Sequence, residues 1–270
     1  MSNRQPSEGG GPKLKVASPP KTSNAPEKPG YGIDEPRTII ELGAAGILSV
    51  VVGLLIAIYT SSSNPRAAEA ALLVGPAMGF LILVVAVLLF WSSRLGKVRE
   101  MTRIVANIPW GGEEVVLDLG SGRGLAAVLA AKKLQGGHAV GVDVWSKARI
   151  SGNDPRSLLA NADLEKVRSK VSAVKGLSAQ LPLADRSVDV ILSASAVHHL
   201  VPRRQREGLF MEMSRVLKEG GRIGILDAGN GNQYSAILNK IGMRDIEMHR
   251  LRFSAFPPFH VVLARKPYAE

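Results

Sequence analysis

The sequence predicts an α/β domain built on a mostly parallel sheet and preceded by two transmembrane helices. Three observations carry this. From residue 115 onward, short apolar runs alternate with helical patterns, as strands covered by helices on both faces do. One strand-to-helix junction is a glycine-rich turn, residues 115–124, reading V-V-L-D-L-G-S-G-R-G. Ahead of it stand two long apolar runs without a charge, residues 42–60 and 70–91.

Composition sets the outer bounds. The chain has 270 residues and a formal net charge of +11. It has no cysteine, which excludes disulfides and thiolate metal sites. The five histidines show no metal-ligand spacing, so no metal is expected. A basic balance suits an anionic membrane surface or nucleic acid. The basic residues are scattered, with no aromatic-interleaved patch, so nucleic acid is not expected as a partner.

Residues 1–37 are rich in Pro, Gly, Ser and Lys and poor in large apolar side chains. Such a segment buries too little surface to offset the entropy of ordering, and a disordered tail is expected. Residues 38–91 read as a transmembrane hairpin. At about 1.5 Å per residue, each run can cross a hydrocarbon core of roughly 30 Å. The polar link at 61–69, with Pro65, is short enough to force the two helices antiparallel. Gly43, Gly46 and Gly53 on the first run, with Gly75 and Gly79 on the second, let the helices approach closely. Basic residues flank the hairpin: Arg4, Lys13, Lys15, Lys21, Lys28 and Arg37 before it, Arg94, Lys97, Arg99 and Arg103 after it. The link carries only Arg66. This asymmetry predicts a cell-membrane protein with two spans, both ends cytoplasmic and the link outside.

Residues 92–110 form the connector, with a basic amphipathic helix over 92–108. Its apolar face (Leu95, Val98, Met101, Ile104, Val105) suits either lipid headgroups or the sheet. The globular domain is expected over 111–270. Strands are predicted at 138–144, 171–175, 188–195 and 222–227, with helices at 125–134, 154–169, 203–217 and 233–241. Gly220-Gly221 is placed as the stop of the third of these helices. Residues 244–253 and 260–266 read as an antiparallel pair joined through Pro257-Pro258.

The chemistry gathers at strand ends. A glycine turn brings a ligand against bare backbone and aims helix N–H groups at it. The spacing is G-x-G-x-G, because the third glycine of a dinucleotide loop would fall on Leu125. Asp118 precedes the loop, and an acid there suits a cationic ligand better than a pyrophosphate. Asp143, about twenty residues on and at the end of the second strand, can accept two ribose hydroxyls.

This loop resembles motif I of the class I S-adenosylmethionine-dependent methyltransferases. Residues 179–200, A-Q-L-P-L-A-D-R-S-V-D-V-I-L-S-A-S-A-V-H-H-L, resemble the stretch around the fourth strand of the ubiquinone/menaquinone-biosynthesis-like (methyltransferase type 11) group. Glu212 and the run from Arg215 to Arg222 resemble its following E-x-x-R-V-L-K-P-G-G signature, with Glu219 in place of proline. The resemblance implies a Rossmann-like, seven-stranded methyltransferase sheet with S-adenosyl-L-methionine as cofactor. The cofactor-binding residues it implies are Asp118, Gly120, Ser121, Gly122, Gly124, Asp143, Val144, Leu177, Ser178 and Ser193. Leu177 stands where many relatives have an acid for the adenine amino group, which leaves that contact to Ser178 or to backbone.

His198 and His199 are the catalytic candidates; one takes a proton, or one packs while the other caps a helix. Asp227 and Asn230 are candidate polar groups on the substrate side, and Arg203, Arg204 and Arg206 either meet lipid phosphate or face water. The expected partners are the membrane and a small, possibly lipid-soluble methyl acceptor; the oligomeric state is open. A catalytically inactive binding module on the same fold is the alternative.

Overall fold

The apolar runs become strands because β-branched and leucine side chains fill both faces of a covered sheet. The computed structural model describes residues 28–146, 150–176, 180–200, 202–250 and 256–268. Within them the elements are α1 (Pro36–Thr60), α2 (Pro65–Trp91), a π-helical turn (Ser92–Gly96) and α3 (Lys97–Asn107). There follow β1 (Val115–Leu119), α4 (Leu125–Ala131), β2 (His138–Asp143), α5 (Pro155–Leu164), β3 (Val171–Lys175) and β4 (Val188–Ala194). The chain continues with α6 (Arg203–Val216), β5 (Leu217–Asp227), α7 (Gly231–Lys240), β6 (Arg244–Arg250) and β7 (His260–Arg265).

The seven strands form one sheet in the order β3-β2-β1-β4-β5-β7-β6. The first five are parallel, and β7 pairs antiparallel with both β5 and β6. Strand order reverses between β1 and β4, and a ligand crevice is expected outside the carboxyl ends at that switch. Successive side chains of a strand point to opposite faces. Accordingly Val116 joins a core with α3, α4 and α5, while Leu117 and Leu119 join one with α6 and α7.

The connector takes the sheet-packing role. Met101, Ile104 and Val105 of α3 are buried in the first core. A Cβ on Gly224 of β5 would lie 2.8 Å from the Ile104 side chain, so the strand backbone meets the helix directly. The hairpin glycines behave as expected, with one exception. A Cβ on Gly53 would be 2.7 Å from Gly75 Cα, and one on Gly79 would be 2.6 Å from the Gly46 carbonyl. Gly43 faces open space and packs nothing.

Two expectations need correction. The paired glycines do not stop α6, which ends at Val216. Gly220-Gly221 lies inside β5, where the pairing with β4 jumps from Val188–Leu217 to Val190–Arg222. Gly220 has φ +75°, so the bulge, rather than a helix cap, is what demands glycine. The second correction concerns the expected disordered tail. Residues 1–27 lie outside the described set, but residues 28–35 form an ordered strap across the domain. Asn161 of α5 accepts from Gly30 N–H and donates to the Gly30 carbonyl (3.0 and 3.1 Å). Ile33 N–H bonds Ser151 Oγ at 2.9 Å, and Asp34 pairs with the buried Lys97 ammonium at 2.7 Å.

Candidate functional site

Gly120, Gly122 and Gly124 all have positive φ, the conformation that glycine adopts without strain. A Cβ on Gly120 would overlap the Ala196 methyl, so the loop presses against the end of β4. A Cβ on Gly124 would lie 2.7 Å from Leu158, which seats the start of α4 against α5.

Asp118 is fully buried behind the loop. Its Oδ2 accepts from Ser121 Oγ (2.8 Å) and Ala127 N–H (2.9 Å). Burial pushes its pKa up to about 6, against those two hydrogen bonds and the nearby Lys97 charge. Asp118 and Ser121 therefore brace the loop from behind.

Asp143 ends β2, and its carboxylate faces the loop. Oδ2 accepts from Gly122 N–H at 2.9 Å, and Oδ1 from Trp145 N–H at 2.6 Å. A carboxylate has about four lone-pair sites, so capacity for two further donors remains. The Trp145 indole donates to the Gly122 carbonyl at 3.2 Å and locks the turn.

These residues border a cavity of about 280 Å³. Leu119, Gly120, Asp143 and Val144 form one wall; Ser195, Ala196, His199 and Leu200 form the other, and Ile150 and Asn153 also line it. Among the described residues, two buried polar atoms of the lining, Asn153 Oδ1 and Ser195 Oγ, lack a partner. Buried polar atoms are normally paired, so this pair fits a polar ligand. Ser195 also carries φ +56°, backbone strain of the kind that gathers at ligand sites.

Sequence reading missed Ser195 and chose Ser193. Ser193 is fully buried and donates to the Leu119 carbonyl at 2.9 Å, behind the cavity wall. Strand alternation would put both serines on one face; the turn after β4, where Ser195 has φ +56°, separates them. Leu177 and Ser178 lie outside the described residues.

The histidines part company. His199 lines the cavity. His198 stands against it, rings 3.9 Å apart, with Nδ1 3.0 Å from Asp227 Oδ1. Asp227 is fully buried at the end of β5 and also accepts from the N–H groups of Val197, His198 and Gly229 and from the Tyr234 hydroxyl. Burial lowers the His198 pKa, but the Asp227 hydrogen bond and charge, with Asp34 and Glu35 beyond, outweigh it. The net shift is upward from the ordinary imidazole value. Asn230 caps α7 through Gln233 N–H at 3.1 Å. Arg203 pairs with Glu207 one turn on, a solvated helix face.

The other motif residues are braces. Arg215 bonds Glu212, Asp185 and the Leu181 and Leu183 carbonyls, and Glu212 accepts from Leu181 N–H. Together they clamp the L-P-L segment under the cavity. Asp189 holds Val115 N–H (2.9 Å) and Lys218 (2.8 Å), tying β1 to β5.

Residues 117–225 match the family described as a methyltransferase domain. The match takes in the glycine loop, Asp143 and β4 but less than half of the chain. An arsenite methyltransferase of Halobacterium salinarum is 40% identical over 119 residues, which cover 42% of this chain and 27% of that protein. The chain spans less than half the length of the curated relatives it matches. Among solved structures, the YcgJ protein of Bacillus subtilis superposes with a TM-score of 0.51 at 16% identity, over 63% of this chain and 99% of that one. The [4+2]-cyclase SpnF superposes at 0.50 with 17% identity, over 63% of this chain and 81% of that one. The domain thus has the Rossmann-like, seven-stranded sheet that the sequence resemblance implies. A cyclase on the same frame shows that fold alone does not set the reaction.

Proposed function

We propose that the chain is a membrane-anchored, S-adenosyl-L-methionine-dependent methyltransferase acting on a small, lipid-soluble acceptor. The observation that carries the cofactor assignment is the Gly122–Asp143 contact at the mouth of the cavity. It holds a carboxylate with spare acceptor capacity beside a loop that only glycine can form. Asp143 would take the ribose hydroxyls, and Gly120 would give the cofactor's amino-acid part close access to backbone. Asn153 and Ser195 supply the unpaired polar atoms the nucleoside would satisfy.

The bound cofactor supplies a methyl group on a sulfonium, already a strong electrophile. The chain's own task is to align an acceptor and manage its proton. His198 is oriented through Nδ1 by Asp227, which fixes the tautomer and leaves Nε2 to accept a proton. His199, at the cavity wall, positions the acceptor.

The hairpin supports the membrane assignment. Ile58, Leu73 and Phe80 are each about 70% exposed, and only 11% of each span's most apolar window is buried within the molecule. Apolar surface of that extent calls for hydrocarbon or a partner to cover it. The strap leads from the glycine loop into α1, which supports a reading in which the cavity works near the membrane surface. The substrate of the arsenite relative does not carry over easily, since this chain offers no thiolate for a soft arsenic centre.

Calorimetric titration of the detergent-solubilised full chain with S-adenosyl-L-methionine tests the cofactor site. Asp143→Ala should weaken binding by about tenfold or more, the loss of a charged hydrogen-bond acceptor. Absence of binding to folded wild-type protein favours the non-enzymatic reading.

A further inference from the structure

Arg123 stands inside the glycine loop, between Gly122 and Gly124, yet nothing in the cofactor site uses its side chain. Three glycines surround it. A Cβ on Gly32 would lie 3.1 Å from Arg123 Cδ, one on Gly152 3.2 Å from Nη1, and one on Gly30 3.7 Å from Nη2. Bare backbone on these sides leaves the guanidinium room that side chains would otherwise fill. Its hydrogen bonding is poor. Nη1 reaches the Ser151 carbonyl at only 3.5 Å, and the buried Nε–H has no acceptor. A guanidinium has five N–H donors in a fixed fork.

A second cation stands on the turn to which the strap is tied. Arg94 is exposed on the π-helical turn, directly after the end of α2. Its neighbour Ser93 accepts from Asp34 N–H at 2.6 Å, and the preceding strap residue, Ile33, donates to Ser151 Oγ. The strap thereby bridges the turn bearing Arg94 and the loop touching Arg123. Among the described residues neither arginine forms an ion pair, although Arg103, Arg203, Arg215 and Arg265 do. Burial and the charge of Arg94 both depress the Arg123 pKa, as expected of cations held together without a counter-ion.

We propose that Arg123 and Arg94 bind a phosphate group presented at the membrane surface. A phosphate supplies adjacent acceptors for the fork of Arg123 and neutralises the repulsion between the two cations. Trp91 and Leu95, both exposed, flank Arg94 and suit headgroup depth. The phosphate comes from a lipid headgroup or from a free phosphorylated molecule. The membrane placement of the hairpin bears only on that choice, and the methyltransferase reading bears on neither.

The test uses full-length protein. In detergent, the thermal midpoint is followed against inorganic phosphate, with chloride at matched ionic strength. In parallel the protein is placed in nanodiscs of phosphatidylcholine, or of an equimolar phosphatidylcholine–phosphatidylglycerol mixture. Wild-type protein should be stabilised by phosphate or by the anionic nanodisc. Arg94→Gln and Arg123→Gln should each weaken the response by about tenfold in apparent affinity. Stabilisation by inorganic phosphate identifies a site for any phosphate group, and stabilisation by the anionic nanodisc alone assigns the lipid. Arg99→Gln, a basic change on the neighbouring helix, is the control. Equal responses in wild type and Arg94→Gln overturn the proposal, as does an equal loss in Arg99→Gln, which would indicate surface charge alone. Arg94 is exposed and has no ion-pair partner among the described residues, so this variant keeps the test valid if Arg123→Gln misfolds. Cofactor titration of the same samples reads the methyltransferase site separately.

Discussion

Asp227 holds His198 at Nδ1 while its other contacts fix the turn after β4 and the start of α7. The pair has a direct consequence for pH dependence. The groups around the imidazole are Asp227, Asp34, Glu35, His199 and Tyr234. As a base, His198 must be neutral, and its pKa lies above the ordinary value. Activity should therefore rise with pH through an inflection above about 6.5. Asp227→Asn should move the inflection down and cut the plateau about a hundredfold. A flat profile that ignores the substitution would remove the base role and favour an acceptor that arrives as a neutral amine. Stability runs the opposite way. A raised histidine pKa contributes fully below the unfolded value and is lost as pH rises through the folded one. Gly120 makes a second prediction at this scale. Its φ of +67° and the Ala196 methyl against it leave no room for a Cβ. Gly120→Ala should cost about 1–3 kcal/mol in a denaturant titration and weaken cofactor binding.

Among the elements, the strands were legible because their apolar runs are nearly continuous, and β3 begins and ends where the sequence places it. The glycine loop and Asp143 were legible because backbone conformation and charge at a strand end leave a local trace. The strap was not. Its Pro, Gly and Lys content signals disorder, while its order comes from Asn161, 131 residues away from Gly30. The E-x-x-R pattern was visible as a motif, but its role is to clamp the segment after β3. Gly220-Gly221 misled because paired glycines after a helix read alike as a cap or a bulge. Asn161 also donates to the Arg123 carbonyl at 2.8 Å, so one side chain joins strap, loop and α5. Asn161→Ala should loosen the strap, expose the Tyr31–Gly32 peptide bond to chymotrypsin and weaken cofactor binding. Calorimetry beside timed proteolysis checks both, with a loss of about 1–3 kcal/mol for the buried groups left unpaired. Unchanged proteolysis would mean that Ser151 and Lys97 suffice to hold the strap.

For the whole molecule, the proposed topology puts the sheet domain in the cytoplasm and the hairpin link outside. The chain has no cysteine, so Ser62→Cys introduces a unique thiol in that link. An impermeant maleimide should label it in intact cells; labelling only after the cells are opened would reverse the orientation. α2 does not hand over to the domain through a loose linker. Helical structure runs unbroken from Pro65 to Asn107, with the π-helical turn in the middle. A π-turn holds one extra residue, and each residue turns an α-helix by about 100°. The turn thus acts as a phase shifter between two registers, one set by Gly75 and Gly79 against α1, the other by Met101, Ile104 and Val105 against the sheet. Without that added residue, a helix correctly seated on α1 would present the wrong side to the sheet. The azimuth of the cavity about the span axis is therefore written into a single residue of helical pitch, and the domain faces its surroundings as a fixed compass bearing.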